Sequence, residues 1–282
     1  MVMVKLNNQE ISIDGYLKQK LDNIKMILEK NWDALIIIDG KERVGKSTLG
    51  ITMAHYIYPE FDQNNIAVDS EDAVRKLEAL PEKSVLMLDE GSMIFNSKDA
   101  MSRAQKKIIK ILNVIGQKNM VFIIVLPSFF DLNKWIATDR ARFLIHCYNN
   151  ANLERGRFVY WGTKKLRRLY EQGKKNFGSY AHPEGDFFGR FVDFQPSWYP
   201  TYLKIKQETL ISALKDGGKE FNKSMLQRNA LFKFICDNKF ATQKELSTYL
   251  SEYNLGLDRG SISDAITKFK EKYEKIKTDG RL

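Results

Sequence analysis

The chain has almost none of the residues that build covalent or metal-held frameworks. Two cysteines, Cys147 and Cys236, and three histidines, His55, His146 and His182, are spread over 282 residues. No grouping has the spacing of a zinc site or of a disulfide scaffold. The cysteines therefore read as ordinary thiols of a reducing compartment. Long apolar runs are missing too: nothing approaches the ~18 to 20 uncharged residues of a membrane span, and the opening MVMVKLNNQE lacks the apolar segment of a secretory signal. The expectation is a soluble cytoplasmic protein without a membrane span. What is present is a 43% apolar content, enough for an α/β domain of roughly 200 residues and a small satellite. The net charge of +10 is uneven, with about +1 on residues 1–150 and +9 on 151–282. A polyanionic partner for the second half is one reading of this excess, and a solvated basic surface is the other.

The stretch ALIIIDGKERVGKSTL, from Ala34 to Leu49, organises the chain. Leu35 to Ile38 is short, continuous and isoleucine-rich, which suits a strand buried on both faces of a parallel sheet. Gly40, Lys41, Glu42, Arg43, Val44, Gly45, Lys46 and Ser47 then spell G-x-x-x-x-G-K-[ST], and Ser47 to Tyr58, including Thr48, reads as the helix that follows. Glycines let the backbone close around phosphate oxygens, and the N–H groups of the helix start point at the anion. Lys46 would reach the β- and γ-phosphates of ATP, and the Ser47 hydroxyl would ligate Mg²⁺. Ser84 to Leu88 reads as a second buried strand ending in Asp89-Glu90, the form of a Walker B strand. Asp89 would hold Mg²⁺ through water, while Glu90 would accept a proton from an attacking water or else cap the next turn.

Elsewhere the pattern predicts a hairpin around Asn7-Asn8, helices over Tyr16–Lys30, from Ser70 with Ser70 as N-cap, and over Asp99–Gln117, and strands at Ile66–Val68, Met120–Leu126 and Phe143–Tyr148. The basic face of the 99–117 helix reads equally as solvated or as a binding surface. Pro127-Ser128 leaves its strand where ligands sit in open α/β sheets, making Ser128 a γ-phosphate sensor candidate. Asn133-Lys134-Trp135 is followed by Ile136 rather than the carboxylate that pairs with guanine, which favours adenine.

These motifs in this order, with KNMVFIIVLPSFFDLNKWIATDRARFLI, resemble the P-loop ATPases grouped with FtsK and HerA, nearest the zonular-occludens-toxin-like and viral DNA-packaging ATPases. The resemblance covers about residues 30–150. It implies a RecA-like, mostly parallel α/β core, ATP hydrolysis at Lys46, Ser47, Asp89 and Glu90, and a homo-oligomeric, hexameric ring moving double-stranded DNA, with a viral or mobile-element partner and the host cytoplasm as its place if viral. Where the family tends to place a polar residue, often Gln, this chain has Leu126. Arg140 and Arg142 match the basic residues before the family's next strand, as arginine fingers, with salt bridges to Asp131 or Asp139 as the alternative.

The division read from the sequence is an N-terminal hairpin and helix (1–33), a P-loop core (34–150), a basic aromatic extension packed on it (151–215), a linker (216–225) and a trihelical module (226–282). In that module a capping box of Thr242 and Glu245 opens the second helix. A third helix from Ser261 resembles the recognition helix of a helix-turn-helix or winged-helix domain, with Arg259, Ser261, Ser263, Lys268 and Lys270 as DNA contacts. A protein-binding role for the module stays open, as does a nucleotide-gated DNA-binding regulator or a signalling ATPase in place of a motor.

Overall fold

The computed structural model describes residues 1–89 and 98–215, and beyond them 228, 231–232, 235–236, 242–252 and 260–267. Glu90, Arg259, Lys268, Lys270 and the 216–225 linker lie outside the described residues. Two compact units are present, Met1–Thr209 and Leu210–Leu282.

In the first unit, β1 (Val2–Leu6) and β2 (Gln9–Ile13) form the expected hairpin, with Asn7 and Asn8 both at positive φ, the backbone a tight two-residue turn demands. Helix α1 (Gly15–Glu29) starts at Asp14, whose carboxylate accepts the Tyr16 and Leu17 N–H groups, and buries Leu17, Leu21, Ile24 and Leu28. Then come β3 (Ala34–Gly40), α2 (Lys46–Ile57), β4 (Ile66–Ala67), α3 (Ser70–Ala79), β5 (Val85–Leu88), α4 (Lys98–Lys118), β6 (Val121–Val125) and β7 (Ala141–Tyr148). The cap of α3 is Asp69, not Ser70: its carboxylate accepts the Asp72 N–H at 2.8 Å. Asp and Ser are comparable caps, each contributing about 1 kcal/mol, so composition alone does not choose between neighbours.

The main sheet has the order β4-β5-β6-β3-β7-β8-β9, with β8 spanning Arg157–Gly162 and β9 Phe187–Arg190. Pairing is parallel from β4 through β7 and antiparallel from β7 to β9. All seven residues of β3 are buried, as both faces of a central parallel strand require. One core lies under α1 and α2; the other lies on the opposite face, under α3, α4 and α5 (Thr163–Lys175). The phosphate-loop strand β3 and the acid-ending strand β5 are separated by β6, the RecA-like arrangement expected of the core. From the 151–215 segment, β8 and β9 extend this sheet, and α5 between them packs on its face. Trp161, buried in the second core, donates from its indole N–H to the Pro183 carbonyl at 2.8 Å, so it packs as an ordinary core aromatic.

In the second unit α7 (Gln243–Glu252) carries the predicted capping box: the Thr242 N–H donates to Glu245 Oε2 at 2.7 Å and the Glu245 N–H to Thr242 Oγ1 at 3.3 Å. Phe232, Leu246, Ile262, Ala265 and Ile266 form its core, and residues 260–267 are helical. Ser261 is exposed and Ser263 half-buried. Among the described residues no helix is long and apolar enough to cross a membrane, and no group of three or more His, Cys, Asp or Glu could hold a metal. Cys147 is buried, and desolvation raises its thiol pKa, which keeps it protonated.

His55 of α2 is enclosed by Phe61, Phe194 and Trp198, stacking on the last at 5.7 Å, and burial lowers its pKa to about 4. Between an unfolded value of 6.5 and this folded one, the unfolded chain binds the extra proton. Stability is therefore full above about pH 6.5 and falls as the pH drops toward 4, by up to about 3 kcal/mol. Denaturant titrations at pH 7 and pH 4.5 should show this loss, and His55→Phe should flatten the part of the curve it causes.

Candidate nucleotide site

The phosphate loop leaves the carboxyl end of β3 and runs into α2. Gly40 sits at φ 135°, where a Cβ would come 2.2 Å from the Cys147 carbonyl oxygen of β7, so only glycine fits between the strands. Gly45, at φ 97°, caps α2 without a side chain, leaving the first N–H groups of the helix toward the loop. Lys46 folds back over the loop and donates to the carbonyls of Gly40 and Lys41, both at 2.6 Å. Burial lowers its pKa, with the opposing pull of Cys147, Asp39 and Asp89. A nearby polyanion would offset that desolvation, which is the electrostatic environment a phosphate-binding lysine needs.

Asp89 stands at the end of β5, nearly enclosed. Its Oδ1 accepts the Ser47 hydroxyl at 2.8 Å; its Oδ2 accepts the Tyr202 hydroxyl and the Lys206 ammonium, the latter at 2.9 Å. Tyr202 and Lys206 belong to α6 (Tyr199–Lys215). Ser47 and Asp89 both line the cavity. Hydroxyl and carboxylate oxygens form the hard donor set Mg²⁺ prefers, so the residues fit the expected metal. The Tyr202 phenol, desolvated and beside this carboxylate, is held protonated. The cavity, about 410 Å³, is lined by loop residues, by Leu126 and Pro127 after β6, and by Arg155, Tyr199 and Lys206.

A second buried acid, Asp39, ends β3. Its Oδ2 accepts the Phe129 N–H at 2.8 Å and the Tyr180 hydroxyl, and its Oδ1 faces His146 Nδ1 at 2.9 Å. This ties the base of the loop to the segment after β6, to β7 and to the chain beyond α5.

Of the sequence candidates, the structure brings Gly45, Lys46, Ser47, Thr48, Glu42, Arg43 and Asp89 around one cavity. Ser128 instead caps a 3₁₀ turn, its hydroxyl accepting the Phe130 N–H at 3.2 Å. Arg140 and Arg142 are not brought to the loop. Arg140 pairs with Asp33 at 2.5 Å, not with Asp131 or Asp139, and Arg142 lies over the Trp32 ring at 6.0 Å. They stand where β7 begins, beside the start of β3, roughly 17 Å of strand away from Gly40. Asp139 is taken by Arg167 at 2.6 Å. Sequence reading missed Arg155, Tyr199, Tyr202, Lys206, Asp39 and Tyr180. Only Asp39, an acid within an otherwise apolar strand, carries a local signal.

Site and sheet together have the form of a P-loop fold. No family model matches the chain, and no curated protein matches it. Among solved structures it is similar to the N-terminal domain of zonular occludens toxin from Neisseria meningitidis (10% identity, TM-score 0.35, 58% of this chain and 95% of that one). Another is the genome packaging NTPase B204 from Sulfolobus turreted icosahedral virus 2 in complex with AMP (15%, 0.32, 48% and 95%). A third is the replication initiator DnaA bound to AMPPCP and single-stranded DNA (13%, 0.35, 97% and 93%).

Lys206 neutralises the acid that a metal would need. Lys206→Met should lower the Mg²⁺ concentration that half-saturates ADP binding about tenfold, the equivalent of about 1.4 kcal/mol of competition removed. Titration of a fluorescent ADP analogue against Mg²⁺ reads this directly; an unchanged or higher midpoint would show that Lys206 does not compete.

Proposed function

We propose that this protein is an ATPase that acts on DNA, with movement or packaging of DNA by a ring of subunits as the specific role. The observation that supports hydrolysis best is the Ser47–Asp89 hydrogen bond across the loop, with Lys46 beside it. It joins the phosphate-binding helix to the acid strand, so that Ser47 and Asp89 would hold the metal of a metal–triphosphate, whose charge would polarise the phosphate for hydrolysis. Glu90, next in sequence to Asp89, is the acceptor of the proton from the attacking water in this reading. Arg155 lines the same cavity and supplies a guanidinium within the chain, beside any that Arg140 or Arg142 of a neighbouring subunit would bring. Adenine follows from Ile136 standing where a guanine-reading carboxylate would be. DNA follows from the basic excess of the second half.

A second reading, an ATP-gated DNA-binding regulator, draws on α6, which touches the metal-binding acid itself. The two differ in turnover: a motor's hydrolysis rises with DNA length, whereas a regulator binds DNA without sustained stimulation.

Lys46→Ala should abolish hydrolysis and weaken ATP binding while the melting temperature without nucleotide stays near that of the wild type. Glu90→Gln should bind ATP and lose most turnover. Phosphate release with and without single- and double-stranded DNA, beside nucleotide binding, thermal melting and the particle mass under ATP, measures all of this. Normal turnover by Lys46→Ala would remove the site assignment, and a rate indifferent to every DNA would remove the motor.

A further inference from the structure

Helix α5 ends in a turn that breaks two local rules at once. Phe177 has φ 54° and its ring is completely exposed. The left-handed conformation at a helix end is the place of glycine or asparagine, and a bulky side chain there is unfavourable. An exposed phenyl ring recovers nothing by burial. The backbone around it is nevertheless well tied: the Asn176 N–H donates to the carbonyls of Gln172 and Gly173, the Gly178 N–H to Gly173 at 2.8 Å, and the Ser179 N–H to Asn176 at 3.1 Å. The ring is thus held out by an ordered turn, with Lys174, Lys175 and Asn176 exposed immediately before it.

The turn sits at the nucleotide end of the sheet. Strand β8 runs antiparallel to β7 and finishes at the opposite end, and α5 returns from there. Three residues after Phe177, Tyr180 donates to Asp39 at the foot of the phosphate loop. The loop after β7, at the same end, repeats the pattern: Leu153 lies at φ 61° and is 77% exposed, two residues before the cavity-lining Arg155.

We infer that the Lys174–Phe177 turn is a contact for single-stranded DNA, with Phe177 stacking on an unpaired base and Lys174 and Lys175 meeting the flanking phosphates. The inference rests on the DNA-acting reading above. A flat apolar ring beside ammonium groups matches a strand whose base faces are open, and stacking is indifferent to sequence. A base-paired duplex hides those faces, so the turn favours the unpaired strand.

The test is binding of fluorescein-labelled dT20 to the full chain by anisotropy over a salt series, with a duplex of the same length alongside. Phe177→Ala should weaken dT20 binding by about 5- to 150-fold, since stacking contributes roughly 1–3 kcal/mol per base, and leave the salt slope unchanged. Lys174→Ala with Lys175→Ala should reduce the slope of log K against log salt by about 1.4, at roughly 0.7 for each phosphate contact on a single strand. Lys175 and Phe177 are exposed, and Lys174 gives up only the contact of its ammonium with the Tyr170 ring at 4.7 Å, so melting temperatures should move little. If the wild type binds dT20 and both variants bind it with equal affinity and slope, the turn is not the contact and the DNA reading survives. If the wild type binds the duplex alone, stacking is overturned. If it binds neither nucleic acid, the DNA reading falls and this inference with it.

Discussion

Two buried carboxylates fix the geometry of the nucleotide end. Asp39 and Asp89 end parallel strands that β6 separates, and both are almost wholly enclosed. An ionised carboxylate out of water is strongly unfavourable unless paired and hydrogen-bonded, and removing a partner from such a group costs on the order of 3–5 kcal/mol. The partners come from far along the chain. Asp39 is satisfied by Phe129, His146 and Tyr180; Asp89 by Ser47, Tyr202 and Lys206. Each acid therefore recruits a segment beyond the P-loop core and holds it against the cavity. The chain between residues 129 and 206 is positioned by these groups as well as by apolar packing.

That requirement explains why the sheet continues past β7. Strands β8 and β9 extend it in antiparallel fashion, and α5 covers the face with Leu166, Leu169 and Tyr170. The Tyr170 hydroxyl donates to the Leu132 carbonyl at 2.7 Å, and Phe129 and Tyr170 meet edge to face at 5.6 Å. Beyond β9, Phe191 lies so close to Gly45 that a Cβ there would come 3.0 Å from its ring. The phosphate loop is thus backed by residues some 145 positions later, and its second glycine serves packing as well as backbone freedom.

The core was legible because its signals are local. Leu35–Ile38, the loop glycines, Lys46-Ser47 and the apolar run into Asp89 each carry a pattern of a few residues, and parallel strands buried on both faces read as continuous apolar runs. The capping box of Thr242 and Glu245 was legible for the same reason. What escaped depends on distant pairing. Arg155, Lys206 and Tyr202 look like ordinary members of a basic, aromatic segment until β8 and β9 return the chain to the cavity. Arg140 pairs with Asp33 because a basic residue before a strand is a natural partner for the acid at the start of the neighbouring strand. The strands β8 and β9 within the 151–215 extension were not legible because they are short and aromatic, and antiparallel addition to a parallel sheet has no sequence signature of its own.

The two acids also differ in what a nucleotide does to them. The ligands of Asp39 are all protein groups on the sheet and its flanking loops, so its network can persist whether or not phosphate is bound. Those of Asp89 include a tethered ammonium. A metal–triphosphate in the cavity would bring its own cation to the same carboxylate oxygens, and two cations could not share them without repulsion. Differential interaction of this kind is the only means by which a ligand shifts a conformational equilibrium. The Lys206–Asp89 pair therefore gives α6 a direct energetic stake in whether the cavity is filled, while Asp39 holds the loop, the segment after β6 and the Phe177 turn to a common frame.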